Sequence, residues 1–181
     1  MKKKISLAAG LCFVGLLIFF FNTNYFAAFF LSNKFYSPIY TSEFDALTIG
    51  TTVSIPLKFK YKTEYGFSLS VPTKGNYAMP VLSLDGHFQY RFIIGNTTLK
   101  EGSFSPMVKT VTGLRNNLFL FDLFYFDLPF EDISETVTLE VKIISPVTKL
   151  EKYKGTISCF IAPTYSPDRG GARKNRLGIY F

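Results

Sequence analysis

Few side chains in this sequence are equipped for acid–base, nucleophilic or metal chemistry. His87 is the only histidine, and it follows Asp85-Gly86 at the head of an apolar run, where an imidazole is expected to serve as a hydrogen-bonded strand residue. A Ser-His-Asp or Cys-His catalyst needs a nucleophile held beside that imidazole, and no G-x-S-x-G or similar frame is present. Paired carboxylates can divide acid and base roles between them. The pairs here are Asp122 with Asp127 and Glu131 with Asp132, the second reading as a polar loop after Pro129. Tetrahedral zinc sites want four clustered Cys or His ligands, whereas this chain has one histidine and two distant cysteines, Cys12 and Cys159. No phosphate-binding loop and no G-x-G-x-x-G occurs, and Gly170-Gly171 lies in a basic tail. The expectation is a protein without catalytic residues, metal ligands or cofactor: not an enzyme.

The elements that would position any site are strands. Residues 53–61 place Val53, Ile55, Leu57, Phe59 and Tyr61 on one face and Ser54, Pro56, Lys58 and Lys60 on the other. Alternation of this kind marks a half-buried antiparallel strand. Pro56 removes one ladder donor, so the strand belongs at an edge or a bulge. After 62–64 the pattern resumes with Tyr65, Phe67, Leu69 and Val71, and the two segments are expected to pair as a hairpin. Asp85-Gly86 signals another hairpin, and Gly95-Asn96 closes the strand that follows it. "FSPMVKTV" reads as an irregular or edge strand. In "TVTLEVKII", Val137, Leu139, Val141 and Ile143 alternate with polar residues, and "YKGTISCFIA" supplies a last strand. No long helical period follows the N-terminal segment. The predicted fold class is all-β, an antiparallel β-sandwich of about seven to nine strands preceded by one N-terminal transmembrane helix.

That helix is read from "MKKKISLAAGLCFVGLLIFFF", in which three lysines precede an uncharged run over 5–21. Seventeen helical residues cover ~25 Å, close to the ~30 Å hydrocarbon core. A helix reaching residue 32 would span it with tilt, with Tyr25 near the interface. A cleaved signal peptide wants a shorter apolar region and a small-x-small site. Around Ala27-Ala28 that pattern is spoiled by Tyr25 and Phe26, and Cys12, preceded by Leu11, does not fit a lipidation site. An uncleaved signal anchor fits best, with the lysines on the cytoplasmic side and the remainder exported. Cys159 then has no cysteine partner in the exported part, and its alternation with Ile157 and Ile161 makes it a small buried residue. The expected organisation is an anchor over 1–32, a stalk over 33–42, a sandwich domain over 43–162 and a basic Pro/Gly-containing tail over 163–181.

Charge follows the same division. Lys2, Lys3 and Lys4 supply +3, and Asp168, Arg169, Arg173, Lys174 and Arg176 another +3, so only +1 of the net +7 belongs to the rest. A basic balance confined to the ends does not make a nucleic-acid-binding face. The membrane, through residues 5–32, and a protein are the expected partners.

The most apolar run beyond the N-terminus is "FLFDLFYFDLPF", residues 119–130. A helix over 118–130 would reach only ~20 Å, too short to cross a bilayer. As a strand, Leu118, Leu120, Asp122, Phe124 and Phe126 share one face, and Phe119, Phe121, Leu123, Tyr125 and Asp127 the other. Both faces are apolar, so both need cover. One is expected to face the core. The other, with Phe119, Phe121, Tyr125, Asp127 and Phe130 as candidate partner-binding residues, is covered by the chain itself, a second copy or a partner.

The stretch "FDALTIGTTVSIPLKFKYKTEYGFSLSV", residues 44–71, has a Phe-Asp opening, a Gly turn, a long alternating strand and an aromatic-rich return. It resembles small bacterial envelope proteins made of an N-terminal anchor and one β-sandwich, several in families known only as domains of unknown function. Those families usually carry a lipidated cysteine or a plain signal peptide, and this sequence departs from that. The resemblance implies a binding role and no catalytic residue; with the signal anchor read above, the expected location is the bacterial inner membrane, a single pass with the C-terminal domain in the periplasm. Some proteins of this build are immunity proteins that neutralise toxins delivered to the periplasm. Two other readings are a structural or assembly component of an envelope secretion or pilus machine, and a sandwich that binds a small apolar ligand or lipid.

Overall fold

Alternating β-branched and aromatic residues give nine strands in the computed structural model, which describes residues 14–15, 24–61, 63–73, 84–106, 113–115, 117–126 and 136–164. The strands are β1 (Tyr40–Glu43), β2 (Thr52–Leu57), β3 (Tyr65–Pro72), β4 (His87–Ile94), β5 (Thr97–Phe104), β6 (Gly113–Arg115), β7 (Leu118–Phe126), β8 (Val137–Ser145) and β9 (Ser158–Pro163). Among the described residues, the helices α1 (Asn24–Phe30) and α2 (Ser32–Phe35) precede them, and a 3-10 turn (Thr148–Tyr153) links β8 to β9. All pairings are antiparallel, in a five-stranded sheet of order β1-β9-β3-β7-β6 and a four-stranded sheet of order β2-β8-β4-β5.

One apolar cluster draws on both sheets, as a sandwich requires. Phe124 of β7 lies 4.3 Å from Phe104 of β5 and 5.3 Å from Tyr90 of β4, measured between ring centroids. Phe126 lies 5.2 Å from Phe92. Behind them Tyr65, Phe67, Leu69 and Val71 of β3 are fully buried, as are Leu139, Val141 and Ile143 of β8. The alternation read from β8 and β9 holds: Val137, Leu139, Val141 and Ile143 face inward, as do Cys159 and Ile161.

β2 is an edge strand, as Pro56 requires, with Pro56 exposed and opposite Thr138. The expected pairing of β2 with β3 does not form. β2 bonds to β8 in one sheet and β3 to β7 in the other, so residues 58–64 carry the chain between sheets. β2 stops at Leu57 because the chain must turn there, and the Lys60 N–H donates to the Tyr65 hydroxyl at 3.0 Å. Tyr61, expected on the β2 core face, instead packs on Phe35 at 4.7 Å. β4 and β5 do form a hairpin, closed by Gly95-Asn96 with Gly95 at φ +52°. A two-residue turn with glycine first is a favoured way to match strand twist.

The chain divides into two compact units. The larger is the sandwich. The smaller contains α1, α2 and residues 61–64, where Ala27, Ala28 and the fully buried Phe35 form a second cluster joined by Tyr36 and Tyr61. Of the expected stalk over 33–42, residues 33–35 lie in α2 and 40–42 in β1. The expected anchor falls mostly outside the described residues. No described helix is long and apolar enough to cross a membrane. The basic tail from 165 onward and residues 127–135 also lie outside them.

Candidate functional site on the outer face of the five-stranded sheet

β7 does not keep the alternation its sequence suggests. Opposite β3, Phe67 pairs with Phe124 and the next residue, Ser68, pairs with Asp122, so Leu123 is an extra residue. A bulge of this kind turns every following side chain over. Phe119, Phe121 and Leu123 point inward, and beyond the bulge Phe124 and Phe126 point inward as well, all of them buried. Leu118, Leu120, Asp122 and Tyr125 are half-buried and make up the outer face. Two of the expected partner-binding residues, Phe119 and Phe121, are thus core residues at 2% and 0% exposure. Tyr125 is on the outer face, opposite to where uninterrupted alternation would put it. Asp127 and Phe130 lie outside the described residues.

The bulge is also what allows Asp122 and Tyr125, three residues apart, to meet. The Tyr125 hydroxyl donates to Asp122 Oδ2 at 2.6 Å, and the Ser68 hydroxyl donates to Asp122 Oδ1 at 2.6 Å. A carboxylate among apolar side chains is tolerable when both oxygens are hydrogen-bonded. Alternation with the buried Cys159 and Ile161 adds Phe160 and Ala162 of the neighbouring β9 to this face, both half-buried. Between them and β7 run Gly66, Ser68 and Ser70 of β3, small residues buried among the larger side chains of the flanking strands. The other sheet presents a different exterior. Arg91 pairs with Glu140 at 2.6 Å, and Lys142 is exposed beside them. That face is charged and wet, and the outer face around β3 is apolar and rich in hydroxyls.

The groups considered for chemistry are dispersed. His87 Nδ1 and Ser105 Oγ share a 3.2 Å hydrogen bond at the start of β4. No group of three His, Cys, Asp or Glu among the described residues is arranged to hold a metal ion. A shallow pocket of about 240 Å³ is lined by Glu43, Phe44, Asp45, Lys154, Gly155 and Ile157. Hydrogen bonds from the Thr48 side chain and from the Leu47 N–H hold the Asp45 carboxyl below its ordinary range. Asp45 is therefore an anion engaged with its own turn. Sequence alternation could not have found either the bulge or this pocket, since both depend on which segments meet.

Cys159 is fully buried, and burial pushes its thiol up to about 12. The thiolate is the reactive form. The native protein is therefore expected to leave Cys159 unmodified by a thiol-reactive disulfide reagent over the time in which denatured protein reacts fully. Equal rates in the two states would show that the strand opens readily.

No protein-family model matches the chain, and no curated protein matches it. Among solved structures, a protein from Sulfurospirillum deleyianum superposes with a TM-score of 0.51 at 10% identity, over 72% of this chain and 98% of that one. The insecticidal delta-endotoxin Cry8Ea1 of Bacillus thuringiensis gives 0.26 at 13% identity, over 71% of this chain and 20% of that one. The VP2 subviral particle of infectious bursal disease virus gives 0.28 at 14%, over 78% and 33%. The last two likenesses are too slight to carry any argument, and the first concerns the fold alone.

Proposed function

We propose that the protein is a membrane-anchored binding module of the bacterial envelope, holding its sandwich in the periplasm and gripping another protein there, in the manner of an immunity protein or inhibitor. The contrast between the two sheet exteriors carries this reading. One exterior is charged, as a solvated face should be. The other offers Leu118, Leu120, Tyr125 and Phe160 around a carboxylate already satisfied by Ser68 and Tyr125. An amphipathic tyrosine in an apolar surround, low in charge, is the composition of an interface centre. The lysine-led apolar N-terminus supports the anchored location.

Affinity capture from envelope extract with the detergent-solubilised full chain tests this. A stoichiometric protein partner is expected, retained at moderate salt because the face is mostly apolar. Leu120→Glu should weaken its capture at least tenfold, whereas Lys142→Glu on the opposite exterior should not. Recovery of no protein partner at any ionic strength, or equal loss with both variants, would sink the reading.

A further inference from the structure

Seven large apolar side chains are exposed among the described residues. Two are the extra residues of bulges: Leu99, skipped where Phe92 pairs with Lys100 and Ile93 with Thr98, and Ile144, skipped where His87 pairs with Ser145 and Phe88 with Ile143. Ile49 sits in the turn that leads to β2, and Val14 belongs to the apolar N-terminal run. The remaining three are consecutive: Phe29 at 64%, Phe30 at 65% and Leu31 at 45% exposure.

Their helix has its packing reversed. Ala27 and Ala28 are buried at 6% and 5% in the cluster of Phe35, Tyr36 and Tyr61, while Phe29 and Phe30 are exposed, Phe30 stacking on the half-buried Phe26 at 4.9 Å. A helix surrounded by water buries its large apolar side chains and leaves small ones outside. Small residues packed inward with large apolar residues outward is the arrangement of helices that contact lipid. The apolar run 5–21 lies immediately upstream, and α1 ends at Phe30, followed by the polar Ser32-Asn33-Lys34 of α2. Lys34 is exposed in the last turn of α2.

We propose that Phe29, Phe30 and Leu31 are embedded at the boundary between lipid headgroups and acyl chains, with Lys34 at the level of anionic lipid phosphates. The membrane surface then runs through the turn between α1 and α2. Amphipathic segments bury apolar side chains to about 5–10 Å at this boundary, and lysines nearby gain from anionic headgroups. The inference rests on the anchored reading and refines it: the chain leaves the hydrocarbon before residue 32, and α2 lies outside.

The absence of tryptophan from the sequence makes the test direct. The full chain carrying Phe30→Trp is placed in vesicles of phosphatidylcholine and phosphatidylglycerol, with Ile49→Trp as the control. The indole of the Phe30→Trp variant is expected to emit at shorter wavelength than that of the control. It should be quenched more by lipids bearing a nitroxide near the headgroup than by lipids bearing one at the bilayer centre. Quenching by acrylamide equal to that of the Ile49→Trp control would place the segment in water and overturn the inference. Stronger quenching from the bilayer centre would place it inside the span. Short-wavelength emission insensitive to lipid and aqueous quenchers would give the face to protein instead; either result refutes the proposal. Alkaline carbonate extraction of the same protein tests the anchor separately. Release from the membrane defeats the anchored reading, whereas retention with the Phe30→Trp indole in water defeats only the interfacial depth.

Discussion

Phe124→Ala is expected to cost about 3–5 kcal/mol, the range for removing a buried aromatic ring without full collapse of the cavity. Phe124 touches rings in both sheets: Phe104 at 4.3 Å, Tyr90 at 5.3 Å, Phe67 at 5.8 Å and Phe126 at 5.6 Å. Its neighbours are themselves held by strand pairing, so they are poorly placed to fill the void. Small domains have about 5–15 kcal/mol in total, so the variant should unfold at far lower urea than the parent. Tyrosine fluorescence across a urea titration measures this. Phe124→Leu should lose less than the alanine variant, and Lys142→Ala should stay within about 0.5 kcal/mol of the parent, as exposed substitutions do. A Phe124→Ala loss below about 1 kcal/mol would mean that the two sheets are not joined through this ring, since even a single buried methylene is worth about 0.8 kcal/mol.

Phe124 is also where sequence periodicity and structure part company. Two-residue periodicity identifies β7 as a strand with two apolar faces, and in that it is sound. The same periodicity, continued without interruption, puts Phe124 beside Asp122 and Tyr125 beside Phe121. The register against β3 inserts Leu123 and exchanges the two sets. Nothing in "FLFDLFYF" marks the change, because Leu, Phe and Tyr all suit either side of a buried sheet. The signal lies in the partner: Ser68 needs an acceptor on its own face, and Asp122 supplies it only at this register. Strands with one polar face, β8 above all, are legible because a slip there would bury Glu140 and Lys142.

Pairing is less legible than alternation. Residues 53–71 look like a hairpin because two amphipathic strands flank a short polar break, yet the break carries the chain from one sheet to the other. Local pattern cannot distinguish these outcomes, since each strand finds an equally amphipathic partner far along the chain. β2 finds β8 and β3 finds β7. The anchor and the tail are read from charge and composition and lie mostly outside the described residues.

Asp85-Gly86 leads to the second large effect. The pair suggests a hairpin whose first arm, 81–84, lies mostly outside the described residues, and the Asp85 carboxylate is engaged with a distant segment. The Thr148 hydroxyl and the Lys149 N–H both donate to its carboxylate, tying the start of β4 to the 3-10 turn. Partial burial would raise the Asp85 carboxyl, but these hydrogen bonds prevail and hold it below its ordinary range. Gly86 then makes a bend at φ +107° against Val147, which is fully buried. A Cβ at position 86 would lie 2.9 Å from Val147 Cγ2 and 3.4 Å from the Ser145 carbonyl oxygen. Gly86→Ala therefore meets two penalties, about 1–3 kcal/mol of backbone strain and about 1–3 kcal/mol of overpacking. Gly95→Ala separates them, because Gly95 also has positive φ, at +52°, with nothing within 4 Å of its Cβ position. That variant should lose only the backbone part, about 1–2 kcal/mol. Urea titrations of the two variants are expected to place Gly86→Ala clearly below Gly95→Ala. Coincident midpoints would show that Val147 moves aside at no cost, and that the packing of the 3-10 turn on the head of β4 contributes little to holding the sandwich together.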